Sequence, residues 1–197
     1  MTKNQYSASL TGEPLQFFES KVVSELMLND MSYPEIKKKV YEENLFNYKT
    51  KKSINKRVAS VYRRLKNLDE ALLKVIVEGD GDDARLMVLF SVMLSNQLFF
   101  EFMTDVIRIK FLEMDQTLEK RDIMKFFDVK KEESEKVASW KEYTFYKLRQ
   151  VLLKILKEAH LLSGEDPYVL HKIVVSNHFR EILINHNLDN LLDCVGG

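Results

Sequence analysis

Apolar side chains recur at helical spacing along most of this chain, and strand-like alternation is scarce. Ile54, Val58, Val61 and Leu65, for example, stand where one face of an α-helix would carry them. The 197 residues include 6 Gly and 3 Pro, which leaves few positions for the tight turns of an all-β fold. The pattern therefore predicts a mainly α protein built as a helical bundle.

The first third of the chain predicts three successive helices, at about 13–29, 33–43 and 54–66. Ser32 and Glu35 have the spacing of a capping box, and Pro34 between them suits a first helical turn. Residues 44–52 are expected to form a loop, with Ser53 as the N-cap of the third helix. A short middle helix between two longer ones is typical of a helix-turn-helix, so we predict a helix-turn-helix-like segment over about 13–66.

The most hydrophobic run extends from Leu86 to Met103 and approaches the length of a membrane span. Ser95, Asn96 and Gln97 interrupt it, and Glu101 adds a charge near its end. We therefore expect buried helices of a protein core here, with no membrane insertion.

The sequence predicts three parts, which are an N-terminal helical domain over 1–128, a charged linker over 129–139 and a C-terminal module over 140–197. The linker VKKEESEKVAS carries both charge signs and almost no large apolar side chain. After it comes an amphipathic helix at about 144–159, a turn marked by Gly164 and Pro167, the strand-like run LHKIVV and a last helix at about 177–187. This order predicts a winged-helix-like module with a short β-hairpin.

The charge of the chain is zero overall but unevenly distributed. Between residues 49 and 66 there are eight basic side chains and no acidic one, namely Lys49, Lys51, Lys52, Lys56, Arg57, Arg63, Arg64 and Lys66. Of the 30 basic residues, 22 then remain for the rest of the chain, against 30 acidic ones. Such a run of like charges repels itself, and an anionic partner would relieve the repulsion.

Helical geometry at 100° per residue places the polar side chains of the third helix opposite its apolar stripe. Lysine and arginine bind phosphates, while asparagine and serine also reach base edges. We therefore predict nucleic-acid binding, with DNA, RNA and an acidic protein not separated by charge alone, through Lys49, Lys51, Lys52, Ser53, Asn55, Lys56, Arg57, Ser60, Arg63 and Arg64. A weaker second set lies in the C-terminal part, at Lys147, Arg149 and Lys172.

Signatures of catalysis or metal binding are absent from the sequence. Cys194 is the one cysteine, so neither a disulfide nor a cysteine-rich zinc site is expected. No two of the four histidines are four residues apart, and no phosphate-binding glycine loop or nucleophile motif occurs. We expect a protein that is not an enzyme, with no cofactor and no metal. The first residues lack an apolar signal region, which predicts a cytoplasmic protein.

Four segments resemble, in the same order, segments of the BrxA family of bacteriophage exclusion (BREX) defence systems. They are YSASLTGEPLQFFESKVVSELML, VIVEGDGDDARLMVLFSVMLSNQLFFEFMTDVIR, LEKRDIMKFFD and WKEYTFYKLRQVLLKILKEAHLL. The resemblance implies a small α-helical, non-enzymatic protein that binds DNA and acts beside larger BREX components. The family is similar in its core to small helical RNA-binding antitermination factors, which leaves RNA as an alternative ligand.

The expected partners are thus double-stranded DNA and other BREX proteins. With about six phosphate contacts, affinity for DNA would fall about 10³-fold over a fourfold increase in salt. One alternative is a protein-interaction module whose basic helix docks an acidic surface of a partner in the defence complex. The other is a helical RNA-binding factor.

Overall fold

A computed structural model describes residues 6–197, and the first five residues of the N-terminal region discussed above lie outside it. The described chain is mainly helical, as predicted, with a small antiparallel sheet. The helices are α1 (Phe17–Leu28), α2 (Tyr33–Glu42), α3 (Ile54–Leu65), α4 (Glu70–Glu78), α5 (Gly81–Ser95), α6 (Gln97–Phe102), α7 (Arg108–Leu112), α8 (Lys120–Glu133), α9 (Glu135–Ala138), α10 (Glu142–Glu158) and α11 (Asn177–Asn185). The strands are β1 (Thr117–Leu118), β2 (Leu162–Ser163) and β3 (Tyr168–Leu170).

One hydrophobic core extends through the described residues, with α5 at its centre. Nearly every side chain of α5 from Ala84 to Met93 is buried, which explains why this run is apolar on all sides. Phe99 and Phe102 of α6 are fully buried in the same core. In residues 6–197 no single helix has the length and hydropathy of a membrane span, although Gly81–Ser95 and Gln97–Leu112 reach them as a pair bent by 115°.

The N-terminal helices form where the sequence places them, with one shorter than expected. The Ser32 backbone N–H donates to the Glu35 carboxylate at 2.8 Å, which confirms the predicted capping box of α2. Hydrogen bonds from Ser32 hold the pKa of the Glu35 carboxyl below its usual value. The first helix begins at Phe17 rather than near residue 13, because Gln16 has a left-handed backbone (φ 60°) that ends any helix before it.

The sheet joins segments from both sides of the predicted linker. β3 is the central strand, and it pairs antiparallel with β1 and with β2, in the order β1-β3-β2. Of the strand-like run LHKIVV, only Leu170 lies in a strand, because β3 ends there. Farther along, Ile173 donates its N–H to the Val195 carbonyl at 3.1 Å instead of to another strand. Ser176 caps α11 by accepting from the Phe179 N–H, which confirms the last predicted helix.

The linker predicted for residues 129–139 is helical in the structure. α8 continues to Glu133, Ser134 caps α9, and Val137 is fully buried. Lys130, in the same run, is buried among carboxylates. Its Nζ lies 2.8 Å from Glu101, 2.9 Å from Glu133 and 3.2 Å from Asp105. Mixed charge in this run therefore stabilises packed helices.

Burial lowers the pKa of Lys130, but its hydrogen bonds with these three carboxylates outweigh that effect and raise it above the usual value. We predict that Lys130→Ala reduces the free energy of unfolding by about 3 kcal/mol, because it leaves Glu101 partly buried without its cation. Urea unfolding followed by circular dichroism measures this loss. The control is Lys74→Ala, whose exposed pair with Glu70 should contribute less than about 1 kcal/mol. Equal effects of the two substitutions would contradict the prediction.

An ion pair connects α11 to the start of α4. The His186 Nε2 lies 2.6 Å from the Asp69 carboxylate, and its Nδ1 lies 2.7 Å from the Ile182 carbonyl. The Ile182 carbonyl, and next the Asp69 carboxylate, raise the pKa of His186 above 6.5. The pKa of Asp69 is lowered, first by the Leu72 N–H and also by His186.

Because the folded-state pKa of His186 is raised, its stabilising effect is present below about pH 6.5 and is lost as the pH rises through the folded value. We predict that His186→Gln destabilises the protein at about pH 5.5 by less than about 1 kcal/mol, since Asp69 is largely exposed, and has a smaller effect at about pH 8.5. Urea unfolding at the two pH values tests this. His178→Gln, at an exposed position of the same helix, is the control. A pH-independent effect of the His186 substitution would refute the ion-pair explanation.

Candidate nucleic-acid interface

Helix α3 is buried over a wider arc than its apolar residues indicate. Ile54, Val58, Val61 and Leu65 are fully buried, as expected. The next stripe around the helix, at positions 57, 60 and 64, is covered by the extended segment 12–16 that precedes α1. Only the remaining arc of α3 faces solvent.

Arg64 and Ser60 do not lie on the exposed polar face, and this part of the prediction was wrong. Arg64 is 3% exposed, and its guanidinium donates to the carbonyls of Glu13, Pro14 and Leu15 at 3.0 to 3.1 Å. Ser60 is 1% exposed and donates to Gln16 Oε1 at 3.1 Å. Both side chains hold the N-terminal segment against α3, so neither is available to a phosphate.

Arg63 and Arg57 are partly engaged by the same segment. Arg63 is exposed, but its Nη2 lies 2.6 Å from the Glu13 carboxylate, which neutralises it. Arg57 donates to the Gly12 carbonyl at 2.6 Å and is half-buried. Burial lowers the pKa of Arg64 to about 10, because its effect exceeds the opposite effect of the nearby Glu13 carboxylate. Arg64 is therefore charged at neutral pH. Its hydrogen bonds to the carbonyls of residues 13–15 are called the clamp below.

The exposed part of the predicted set gathers at the N-terminal end of α3. Lys51, Lys52 and Ser53 form a 3₁₀ turn that leads directly into the helix. Because this turn is already helical, the Ser53 side chain makes no capping hydrogen bond, contrary to expectation. The exposed residues of this end are called the basic surface below, and they are Lys49, Lys51, Lys52, Ser53, Asn55 and Lys56.

The basic surface carries no neutralising carboxylate. Among residues 6–197, no Asp or Glu oxygen lies within 4 Å of the Nζ atoms of Lys49, Lys51, Lys52 or Lys56. Asn55 and the small side chain of Ala59 are exposed on the next turns of the helix. A partner can therefore approach the backbone of α3 closely between the lysines.

Helix α2 extends the basic surface with residues that the sequence analysis did not select. Lys51 Nζ lies 5.2 Å from the centre of the Tyr41 ring, and the Tyr33 and Tyr62 rings are 4.6 Å apart, so α2 lies alongside α3. Lys37 is exposed on α2, four residues after Tyr33 and four before Tyr41, and so lies on the same side of the helix as both. The sequence signal for this extension is the run of three lysines at 37–39. It was not selected because glutamates at 35, 42 and 43 balance its charge.

The second predicted set does not form one cluster. Lys147 lies over the exposed rings of Tyr143 and Tyr146 at 5.3 and 5.5 Å. Arg149 is half-buried on the same helix, α10. Lys172 lies beyond β3, where its side chain contacts Gly196 near the end of the chain. The structure shows no contact that brings Lys172 to the other two residues.

No group of three or more His, Cys, Asp or Glu side chains able to hold a metal ion occurs in the part of the chain that the structure describes. Cys194 is buried, and this burial raises its pKa to about 11. Its thiol is therefore protonated at neutral pH and a poor nucleophile.

Comparison with known sequences identifies a family. A family model described as BrxA matches residues 4–187. A relative named "BREX protein BrxA" from Bacillus cereus (strain H3081.97) is 41% identical over 166 residues, which are 84% of this chain and 83% of the relative. A protein of the same name from Escherichia coli O9:H4 (strain HS) is 23% identical over 161 residues, covering 81% of this chain and 76% of the relative.

A solved structure shares the fold. The crystal structure of an uncharacterized protein from Magnetospirillum magneticum aligns with a TM-score of 0.82 at 19% identity, over 96% of this chain and 97% of that chain. At this identity the likeness concerns the fold alone.

We predict that Arg64→Met lowers the free energy of unfolding by about 3 kcal/mol, because it leaves three buried carbonyls without a donor. Urea denaturation is the measurement. Arg63→Met, at the adjacent and exposed position, serves as the matched control and should cost less than about 1 kcal/mol. If the Arg64 variant were as stable as the Arg63 variant, the clamp would not be structural.

Proposed function

This chain belongs to the BrxA family, and from that premise we propose that it is a non-enzymatic, DNA-binding accessory protein of a BREX anti-phage defence system. The observation that carries the DNA-binding proposal is the basic surface, where four lysines stand together without a carboxylate among the described residues. The names of the BrxA relatives support the role in BREX. We further propose that it acts in the cytoplasm, beside other BREX proteins.

Phosphate contacts would supply most of the affinity. Four exposed lysines can neutralise about four phosphates, so affinity should fall about 10²-fold over a fourfold rise in salt. This is a weaker dependence than six contacts would give, because Arg64 is buried and Arg63 is paired with Glu13. Asn55 is the exposed side chain on α3 best suited to a base edge, since its amide both donates and accepts.

The predicted winged helix supplies a second candidate surface. The module was predicted for residues 140–197, but the element order that supports it begins earlier, at α7. That order is helix α7, strand β1, helices α8 to α10 and strands β2 and β3, with β3 central in the sheet. In the module, α10 would be the DNA-facing helix, presenting Tyr143, Tyr146 and Lys147. The turn between β2 and β3 carries Glu165 and Asp166, which would repel phosphates. We therefore assign the principal contacts to α3.

The test is fluorescence anisotropy with a labelled duplex and a matched RNA at two salt concentrations. We expect salt-sensitive binding to the duplex that weakens at least about tenfold in the variant Lys52→Glu/Lys56→Glu. Within residues 6–197 neither lysine side chain makes a hydrogen bond or an ion pair, and both are exposed, so the variant should unfold at the same urea concentration as the wild type.

The control Lys74→Glu/Arg180→Glu changes the net charge equally on α4 and α11 and should retain affinity. Equal losses in both variants would show a non-specific effect of net charge. Preference for the RNA would favour the alternative of an RNA-binding factor. No binding to either nucleic acid at low salt would reject the proposal and leave the basic surface as a docking site for an acidic protein.

A further inference from the structure

A polar cleft lies apart from the basic surface, where the N-terminal segment meets α5 and the end of α10. Its volume is about 540 Å³, within the range of small-molecule sites. Gln16 and the first residues of α1 form one wall, Arg85 of α5 lines it, and Lys154 and Glu158 of α10 close the other side. The cleft is thus built from segments far apart in sequence.

The cleft has an excess of available cations. Arg57, Arg85 and Lys154 line it together with Glu19 and Glu158. Lys154 is paired with Glu158 at 3.7 Å, but within residues 6–197 no carboxylate oxygen lies within 4 Å of the Arg57 or Arg85 guanidinium. The two acidic side chains of the cleft already have protein donors. Glu158 accepts the Leu15 N–H at 2.8 Å, and Glu19 accepts the Tyr48 hydroxyl. The unsatisfied charge of the cleft is therefore positive.

Arg85 is held in place for a ligand. Its guanidinium lies 4.5 Å from the centre of the Phe17 ring, and Nη1 donates to the Glu158 carbonyl at 3.1 Å. Its Nε is buried and has no acceptor among the described residues. An arginine fixed by a ring and a carbonyl loses little entropy on binding an anion, which favours a phosphate.

Gln16 provides an independent indication of a ligand. Gln16 is only 5% exposed, and it lines the same cleft. Its Oε1 accepts from Ser60, but its Nε2 has no acceptor in the described chain. A buried amide donor left unpaired costs about 1–3 kcal/mol, which an acceptor on a ligand would recover.

The rim of the cleft adds an exposed aromatic ring. Phe18 is 54% exposed although it lies in the first turn of α1, beside the buried core. An exposed phenyl ring beside a cationic cleft suits a ligand with a planar ring and an anionic group. A base can stack on such a ring while its phosphate binds arginine.

We propose that this cleft is a binding site for a mononucleotide, with the phosphate between Arg57 and Arg85 and the base against Phe18. The Gln16 amide would donate to an acceptor at the floor of the cleft. The site is distinct from the basic surface. Arg57, which follows Lys56 on α3, lines the cleft and does not belong to that surface. A nucleotide bound in the cleft would contact both the N-terminal segment and α10.

Isothermal titration calorimetry with AMP, adenosine and inorganic phosphate tests the proposal on the full chain. We expect AMP to bind more tightly than either of its halves. Arg85→Gln should weaken AMP binding about tenfold or more, since it removes a charge-assisted pair while an amide can still donate to the Glu158 carbonyl. Phe18→Ser should weaken AMP binding but leave phosphate binding unchanged.

Matched controls are Arg121→Gln and Tyr143→Ser, which alter an arginine and an aromatic ring that are both well exposed elsewhere. The Lys52→Glu/Lys56→Glu variant should retain AMP binding, so that failure of DNA binding and failure of this site are separable. If Arg85→Gln did not fold, Phe18→Ser would decide alone. No AMP binding by the wild type at millimolar concentration, or equal losses in the control variants, would overturn the proposal.

Discussion

The fold of the N-terminal half depends on one buried cation. The Arg64 guanidinium donates hydrogen bonds to the carbonyls of Glu13, Pro14 and Leu15. In a helix these carbonyls would accept from backbone N–H groups, so the bonds to Arg64 keep the segment extended. Gln16 then turns the chain through a left-handed residue into α1. Because a guanidinium offers five donors in a fixed plane, it can satisfy several backbone acceptors at once. The position of α1 on α3 follows from this clamp.

The clamp also divides the basic run into a structural part and a surface part. Its C-terminal half, around Arg63 and Arg64, is used to bind Glu13 and the backbone before α1. Its N-terminal half, around Lys52 and Lys56, has no such partner among residues 6–197 and is exposed. The same local charge density therefore has two physical roles. A count of basic residues cannot separate them, because the difference lies in what packs against each side of α3.

Sequence periodicity predicted the elements well where the hydrophobic pattern and the caps agreed. The capping box at Ser32 and Glu35 is local, so it needed no knowledge of the tertiary fold. The charged run 129–139 gave no sign of its packing, because two of the three carboxylates that surround Lys130 stand 25 and 29 residues earlier. Ser60 and Arg64 were misplaced for the same reason, since their partners lie about 50 residues away. Polar residues that pack through distant partners leave no periodic signal.

The cleft and the basic surface are connected through Arg57, which lies on α3 next to Lys56. Arg57 donates to the Gly12 carbonyl and also lines the cleft beside Arg85. A phosphate bound there would draw the Arg57 guanidinium toward the cleft and compete with the Gly12 carbonyl for its donors. Lys56 is the neighbour of Arg57 on α3, and Lys51 and Lys52 stand in the 3₁₀ turn just before that helix. A nucleotide in the cleft would thus act on the N-terminal end of α3 through Arg57 and through the segment that Arg64 holds.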